Sequence, residues 1–242
     1  MLHRTLFTCC ALLMLALALP AHAQSDACTK AHCIYLPILQ RAEIVNRSPA
    51  PRPGEVHVRS VRVRRPTAKS LNLVGEVLNP TASPVFFVEL TARFFNASGQ
   101  QIAEEDTTVD LPRIGPGGRS PFLIYLNNPP ASLASYTITV SDSRSSTSLD
   151  YRDADVLSVA TRDNFGLEVY GELRNPYFRE LRGVTVAVTF YDLAGNVVAV
   201  ENGFSKPLNI WPRARANYTI PTFERDLLFA RMQVQAQGYL AP

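Results

Sequence analysis

Few side chains in this chain could act as a nucleophile or as a base. It has four histidines and four cysteines, and half of each lie in the first 23 residues. The remainder of the chain holds only His32, His57, Cys28 and Cys33. Nucleophilic catalysis needs a base that takes a proton from the attacking group. Because His57 is isolated at a strand start, we expect no enzyme of these classes and no cofactor.

Two glutamates recur at matching places, each after a glycine in a strand-like run: Glu76 and Glu172. Glycoside hydrolysis requires only two carboxyl groups, so this pair could mark a site. Duplication also preserves structural residues, and alternation along a strand puts Glu76 on the opposite face from Val77. We favour a solvent-facing or cross-strand role for both glutamates. Catalysis by these acids is the alternative.

Three aspartates lie close together in the segment Asp150–Asp155, at Asp150, Asp153 and Asp155. Hard oxygen ligands between two domains would suit a calcium ion. The glycine-containing loop of a calcium-binding helix pair is missing, and a solvated acidic linker explains the segment equally well. A calcium site is therefore a secondary hypothesis, and no other metal site is expected.

Four arginines cluster in one short stretch: Arg59, Arg62, Arg64 and Arg65. Valines alternate with them, which predicts a strand with one apolar face and one solvated basic face. Such charges also protect an exposed sheet edge. A second interpretation is an anion-binding strip for acidic cell-surface polymer. Since the formal net charge of the whole chain is only +3, no global field indicates nucleic acid.

The first 23 residues have the pattern of a secretory signal peptide. Arg4 precedes an apolar run at residues 11–19, and Pro20 and Ala21-His22-Ala23 follow. The pattern predicts cleavage after Ala23. The alternative, an uncleaved anchor, is weaker because about 20 apolar residues are needed to cross a bilayer. We expect an extracytoplasmic protein, in the periplasm or at the cell surface, with no transmembrane segment after cleavage.

Residues 24–54 form a predicted tether. In an oxidising compartment, Cys28 and Cys33 are most simply a disulfide. A metal site that adds His32 would lack a fourth ligand. Prolines stiffen the end of the tether, at residues 46–54. The apolar run at residues 34–39 either docks on the first domain or forms an attachment strand.

The sequence repeats itself without a gap, because Gly75–Pro80 recurs 96 residues later at Gly171–Pro176. So long a repeat indicates one fold written twice. Short runs of alternating apolar and polar residues, separated by turn residues, predict antiparallel strands. We predict an all-β protein of two tandem immunoglobulin-like β-sandwiches, at residues 55–141 and 151–238, joined by a linker at residues 142–150.

Turn residues repeat along with the strands. Asn79-Pro80 and Asn175-Pro176 each end a predicted strand, because proline cannot donate to a ladder and restrains the residue before it. Gly99 and Gly195 are predicted to supply positive φ in hairpin turns. Aromatic residues follow both Asn-Pro pairs, where they could stack on sugars, dock a protein, or pack at a core or hinge: Phe86, Phe87, Tyr177 and Phe178.

These residues carry a family resemblance. Gly171-Glu172-Leu173-Arg174-Asn175, Phe190-Tyr191-Asp192, Gly195 and Val197-Val198 resemble the FxLYD-type domain of bacterial and archaeal secreted proteins. The first copy follows the same pattern but departs from it at Phe95-Asn96, as the second does at Pro212-Arg213. The resemblance implies an immunoglobulin-like sandwich of extracytoplasmic proteins, with no activity and no catalytic residues attached.

Together these features predict a non-enzymatic binding, spacer or assembly module of the cell envelope or the secreted fraction. Its partner would be an extracellular or envelope protein, or a polysaccharide, bound through loops or a sheet edge. Nucleic acid is not an expected partner. The alternatives are a carbohydrate-active enzyme that uses Glu76 and Glu172, and a periplasmic chaperone-like subunit that uses edge strands.

Overall fold

The structure is a computed structural model that describes residues 43–242, with the exception of residues 68, 164–165 and 223–226. The predicted signal peptide, the Cys28 and Cys33 pair and the apolar run at residues 34–39 lie outside the described residues. Residues 42–242 form one compact unit. The described part of this unit is entirely β-structure, as the alternating pattern predicted.

The first half contains eight strands: β1 Val45–Asn46, β2 His57–Thr67, β3 Ser70–Leu78, β4 Val85–Asn96, β5 Gln101–Thr108, β6 Arg113–Ile114, β7 Arg119–Asn127 and β8 Leu133–Arg144. One sheet has the order β2-β3-β7, and the other has the order β1-β8-β4-β5, with β6 paired to β4. All of these pairs are antiparallel except β1 with β8. Side chains from both sheets share one core, which includes Leu73, Val77, Leu90 and Phe94.

The second half repeats the arrangement: β9 Tyr151–Asp153, β10 Asp155–Val156, β11 Ala160–Asp163, β12 Leu167–Arg174, β13 Leu181–Tyr191, β14 Val197–Lys206, β15 Arg215–Pro221 and β16 Arg231–Leu240. β14 pairs with β13 along most of its length and with β15 at its end, so a single sheet of order β10-β12-β15-β14-β13-β16-β9 makes both layers. These layers enclose a second core, which includes Val169, Val186, Phe190 and Tyr218. The all-β antiparallel sandwich fold is confirmed.

The turn glycines also behave as predicted. Gly99 and Gly195 both have a φ of 82°, a left-handed conformation that glycine adopts without steric cost. The backbone N–H of Gly99 donates to the carbonyl of Asn96 over 3.0 Å, and that of Gly195 donates to Asp192 over 3.1 Å. The two hairpins are therefore closed by the same hydrogen bond.

A third apolar cluster joins the two halves. Val74 of β3 is buried together with Tyr191, Val197 and Val200 of β13 and β14, and Leu123 packs against them. As a result, the β2-β3-β7 sheet has its own core on one face and the second half on the other. Seven of the nine residues of β3 are buried and the other two are partly buried. This pattern is expected of a strand that is covered on both faces. We call this contact the junction.

Among the described residues, no helix has the length and apolar character needed to cross a membrane.

Candidate functional site

The carboxylate of Glu76 lies at the centre of the junction. Only 1% of its side chain is exposed. Its Oε1 atom accepts hydrogen bonds from Arg59 Nη1 over 2.6 Å and from Arg119 Nη1 over 3.3 Å. Its Oε2 atom accepts the hydroxyl proton of Tyr191, which belongs to the second half, over 2.9 Å. Of the two predicted roles, solvent-facing or cross-strand, the structure shows the cross-strand one, because the second half covers this face.

Strand register brings the two arginines to the carboxylate. Ser60 of β2 is opposite Glu76, and a register shift between Val58 and Ser60 places Arg59 next to the pair. Arg119 begins β7, on the other side of β3. A buried carboxylate is costly unless charged hydrogen-bond donors surround it. Both neighbouring strands supply such a donor, so two guanidinium groups balance the negative charge.

Tyr191 is the contribution of the second half to this cluster. Burial, followed by the neighbouring Glu76 carboxylate, raises its pKa to about 12. The phenol therefore remains a neutral donor at every physiological pH. The guanidinium carbon of Arg231 lies 3.8 Å from the centre of the Tyr191 ring. The cation is therefore over the face of the ring, in a favourable cation–π contact.

Polar contacts extend the junction along β14 and β16. The backbone N–H of Val197 donates to Ser60 Oγ over 3.1 Å. Gln237 exchanges two hydrogen bonds with the backbone of Arg113: its Nε2 donates to the carbonyl over 2.7 Å, and its Oε1 accepts from the N–H over 3.1 Å. Gln235 Nε2 donates to the carbonyl of Arg119 over 3.1 Å. These hydrogen bonds to backbone groups fix the position of one half relative to the other.

Asp110 is a titratable group in the same contact. Its Oδ1 atom accepts from Asn202 Nδ2 of the second half over 2.9 Å. Its Oδ2 atom is buried and has no hydrogen-bond partner among the described residues. Burial raises the pKa of Asp110 from 3.8 to about 6, although the hydrogen bond from Asn202 lowers it in part. The position that corresponds to Asp110 in the second half is Lys206.

Glu172, the counterpart of Glu76, has a different environment. It pairs with Arg215 Nη1 over 2.9 Å, and 34% of its side chain is exposed. Arg215 corresponds to Arg119, so the same cross-strand glutamate–arginine pair occurs in both halves. The structure places Glu76 in a closed cluster and Glu172 on an open face, and does not bring the two together as an acid pair.

The basic stretch of β2 is partly absorbed by the junction. Arg59 binds Glu76, and Arg62 is exposed on this edge strand. Arg64 is half-buried; burial lowers its pKa, as does the nearby Arg62, while Glu201 of the second half raises it. Arg65 is exposed. The predicted strand is confirmed, and the structure does not present its four arginines as one uniform solvated strip.

Each of the three clustered aspartates contacts an arginine. Asp150 pairs with Arg152 over 2.9 Å. Asp155 accepts two hydrogen bonds from Arg174, over 3.0 Å and 2.5 Å. Asp153 accepts from Gln237 Nε2 over 2.7 Å and lies 3.6 Å from Arg113 Nη1, at the junction. The described residues contain no group of histidine, cysteine, aspartate and glutamate side chains arranged to hold a metal, and the structure does not assemble these three into a calcium site.

His57 lies in a groove of about 540 Å³ between the proline-rich segment and strands β2 and β8. Its Nδ1 atom is 2.7 Å from the carbonyl oxygen of Glu55. Ser48, which lines the same groove, donates its hydroxyl proton to Asn46 Oδ1 over 2.6 Å. This serine is therefore engaged with an amide rather than with the imidazole.

A buried asparagine pins the loops at the end of the first sandwich. Asn79 is fully buried. Its Nδ2 atom donates to the carbonyl oxygens of Ser83, Ile114 and Gly115, over 2.8, 2.9 and 3.2 Å. Its Oδ1 atom accepts from the backbone N–H of Thr81 over 3.1 Å. The Asn-Pro motif was predicted only as a strand end, so this role was missed.

The second half contains the same arrangement. Asn175, also fully buried, donates from Nδ2 to the carbonyls of Arg179, Ile210 and Trp211 over the same three distances, 2.8, 2.9 and 3.2 Å. Its Oδ1 atom accepts from the N–H of Tyr177 over 2.9 Å. We call each set of bonds an asparagine clamp. The exact repetition of Asn79 at Asn175 was the sequence signal that could have revealed it.

The aromatic residues after the Asn-Pro pairs have different environments. Phe87 packs edge-on against Tyr151, with their ring centres 5.5 Å apart, and the Tyr177 hydroxyl donates to the carbonyl of Asp153 over 3.1 Å. Phe86 is half-buried. Phe178 is 81% exposed, and Trp211 on the adjacent loop is 68% exposed. Packing therefore accounts for three of the four predicted aromatics, and Phe178 remains on the surface.

Comparison with known proteins adds little. No family model and no curated protein matches this chain. A transglutaminase of red sea bream is a similar solved structure at 11% sequence identity, with 75% of this chain and 29% of that enzyme covered. This chain thus spans less than a third of the enzyme's length. The TM-score of 0.20 is too low to support an argument about fold or function.

Proposed function

We propose that this chain is a secreted or envelope-associated, non-catalytic module whose two immunoglobulin-like halves act as one rigid binding, spacer or assembly unit. The junction is the observation that supports this proposal most directly. A spacer or assembly module must hold its two ends in a fixed relation. Backbone hydrogen bonds and a buried ionic cluster between the halves would supply that rigidity.

The environment of Glu76 weighs against the carbohydrate-active alternative. A general acid needs a raised pKa and access to the leaving group, and a nucleophilic carboxylate needs access to the sugar. Glu76 is enclosed by two arginines and a tyrosine, and only 1% of its side chain is exposed. Its carboxylate therefore supports a joining role.

The extracytoplasmic location is part of the proposal. It depends on the signal-like residues 1–23, on the Cys28 and Cys33 pair and on the resemblance to FxLYD-type domains. The partner class, an envelope protein or a polysaccharide, follows from that location. The asparagine clamps support a binding role, because they hold loops on a rigid scaffold and binding residues are commonly found on such loops.

Expression of the full chain in a bacterium with an export pathway tests location and activity together. We expect the periplasmic or secreted product to begin at Gln24 by mass spectrometry, with Cys28 and Cys33 oxidised. We expect no release of reducing ends from a panel of cell-wall and plant polysaccharides. Cytoplasmic retention of the uncleaved chain would contradict the location. Turnover that is lost in Glu76→Gln or Glu172→Gln at unchanged melting temperature would replace the module by an enzyme.

A further inference from the structure

The loops held by the asparagine clamp of the second half carry large side chains at positions where the first half has small ones. The matching asparagine clamps give the two halves the same loop arrangement. Each loop residue of the second half can therefore be compared with the residue at the equivalent position of the first half. Phe178, Trp211 and Arg213 correspond to Ala82, Gly115 and Gly117 of the first half, and we call these three the aromatic loop end. Since a clamp forms equally well with alanine and glycine, the fold does not explain the aromatic and basic residues.

The exposure of these residues means that they add little stability to the second half. Phe178 is 81% exposed and Trp211 is 68% exposed. Burial of a large aromatic side chain stabilises a protein, and these two side chains forgo most of that gain. Two exposed aromatics on adjacent pinned loops therefore indicate a surface that is completed by a ligand.

Arg213 adds a conformational cost and a charge. Its φ of 62° is close to the 67° of Gly117, so an arginine occupies the left-handed position that glycine fills in the first half. The left-handed conformation is unfavourable for a residue that has a Cβ atom. The guanidinium carbon lies 4.1 Å from the centre of the Phe178 ring. Stacking leaves the N–H edge of the guanidinium available, and no carboxylate among the described residues pairs with it.

The chemistry of this surface fits an acidic sugar. Aromatic faces that are open to solvent accept the apolar face of a pyranose ring, and an arginine edge donates two parallel hydrogen bonds to a carboxylate. Two rings and one cation form a surface far smaller than the roughly 1,200 Å² of a stable protein interface. We propose that the aromatic loop end binds a uronic-acid polysaccharide, with sugar rings on Trp211 and Phe178 and a carboxylate on Arg213.

The inference rests on the proposed non-catalytic function and names a ligand class for it. Calorimetric titration of the exported protein with an oligogalacturonate, and with a neutral gluco-oligosaccharide of equal length, tests it. We expect the acidic oligosaccharide to bind at least tenfold more tightly than the neutral one. Its affinity should fall as salt rises from 50 to 300 mM, because the contact is partly ionic.

Variants at the surface sharpen the test. Trp211→Ala and Phe178→Ala should each weaken oligogalacturonate binding at least tenfold, and Leu193→Ala, at a separate loop tip that is 97% exposed, should leave it unchanged. Arg213→Gly should weaken binding at least tenfold while the melting temperature stays the same or rises, because glycine relieves the left-handed strain. That combination separates a binding residue from a structural one.

Three results would overturn the inference: no binding of either oligosaccharide, equal binding of both, or unchanged affinity in Trp211→Ala. Binding of a tryptophan-dependent protein partner in place of the sugar would also overturn it. None of these results bears on the proposal of a non-catalytic module, which fails if the chain turns over a polysaccharide, is not exported, or unfolds as two independent halves.

Discussion

Glu76 and Glu172 are the same residue in two copies of one fold, yet their surroundings differ. Both pair with the arginine at the start of the neighbouring strand, Arg119 or Arg215. Around Glu76 the second half closes over the pair and adds Tyr191, and β2 adds Arg59. Around Glu172 the pair stays at the surface. The comparison shows that duplication supplied the pair and that the position of the copy decided its use.

The loop ends of the two halves also differ, and here the second half carries the larger side chains. The enclosed glutamate belongs to the first half, whereas the aromatic loop end belongs to the second. Ala82 and Gly115 are small, whereas their counterparts Phe178 and Trp211 are large and exposed. Asn79 and Asn175, where the copies agree, hold the loops of the sandwich, whereas Tyr191 and Trp211, where the copies disagree, join the halves or project from the fold. This division makes matched substitutions in the two halves informative.

The largest and most equal effects are expected at the asparagine clamps. Asn79→Ala and Asn175→Ala each remove the donor to three loop carbonyls, which leaves buried carbonyl groups unpaired. We expect each change to lower the free energy of unfolding by about 3–4 kcal/mol, measured by urea denaturation. Costs that differ by more than about 1 kcal/mol would show that the two loop ends are not equivalent frames.

An unequal pair of effects is expected at the glutamates. Glu76→Ala leaves two arginines and a buried tyrosine hydroxyl without their acceptor, so we expect a loss of about 3 kcal/mol in the free energy of unfolding. The matched control, Glu172→Ala, breaks an exposed pair and should cost no more than about 0.5 kcal/mol. Similar costs at the two positions would mean that the junction does not enclose Glu76 in solution.

Asp110 should make the stability of the protein depend on pH. Because its folded pKa of about 6 lies above the unfolded value of 3.8, the folded state retains a proton that the unfolded state releases. Its stabilising contribution is complete below about pH 4 and is lost as the pH rises through about 6. Asp110→Asn should flatten this decline and raise stability at pH 7 by about 1–2 kcal/mol. An unchanged pH profile in the variant would refute the assignment.

The smallest effect is expected at the tyrosine hydroxyl. Tyr191→Phe removes one hydrogen bond to the Glu76 carboxylate and should cost about 1 kcal/mol. Tyr125→Phe, at a residue that is 52% exposed, is the matched control and should have almost no effect. In a double-mutant cycle, Tyr191→Phe and Glu76→Ala should be non-additive, since they share one contact. Additivity would mean that the contact contributes no coupling between the halves.

Some parts of the structure could be predicted from the sequence because they are encoded locally. Alternation in the run from Leu71 to Val77 specifies a strand, and Gly99 and Gly195 specify tight turns. The cover over the outer face of β3 could not be predicted in this way. Alternation separates the two faces of a strand but does not identify what packs on each, so Glu76 was expected either in solvent or beside a cross-strand partner, and the cover by the second half was not predicted. The clamp role of Asn79 also depends on carbonyls 35 and 36 residues away along the chain.

The most direct test of the claim that the junction joins the two halves is scanning calorimetry of the purified protein. Two cores that are joined by the junction should unfold together, in one transition whose calorimetric enthalpy equals its van't Hoff enthalpy. We predict that single transition for the wild-type protein. Two independent transitions in the wild-type protein would contradict the claim that the junction makes one rigid unit of the two halves.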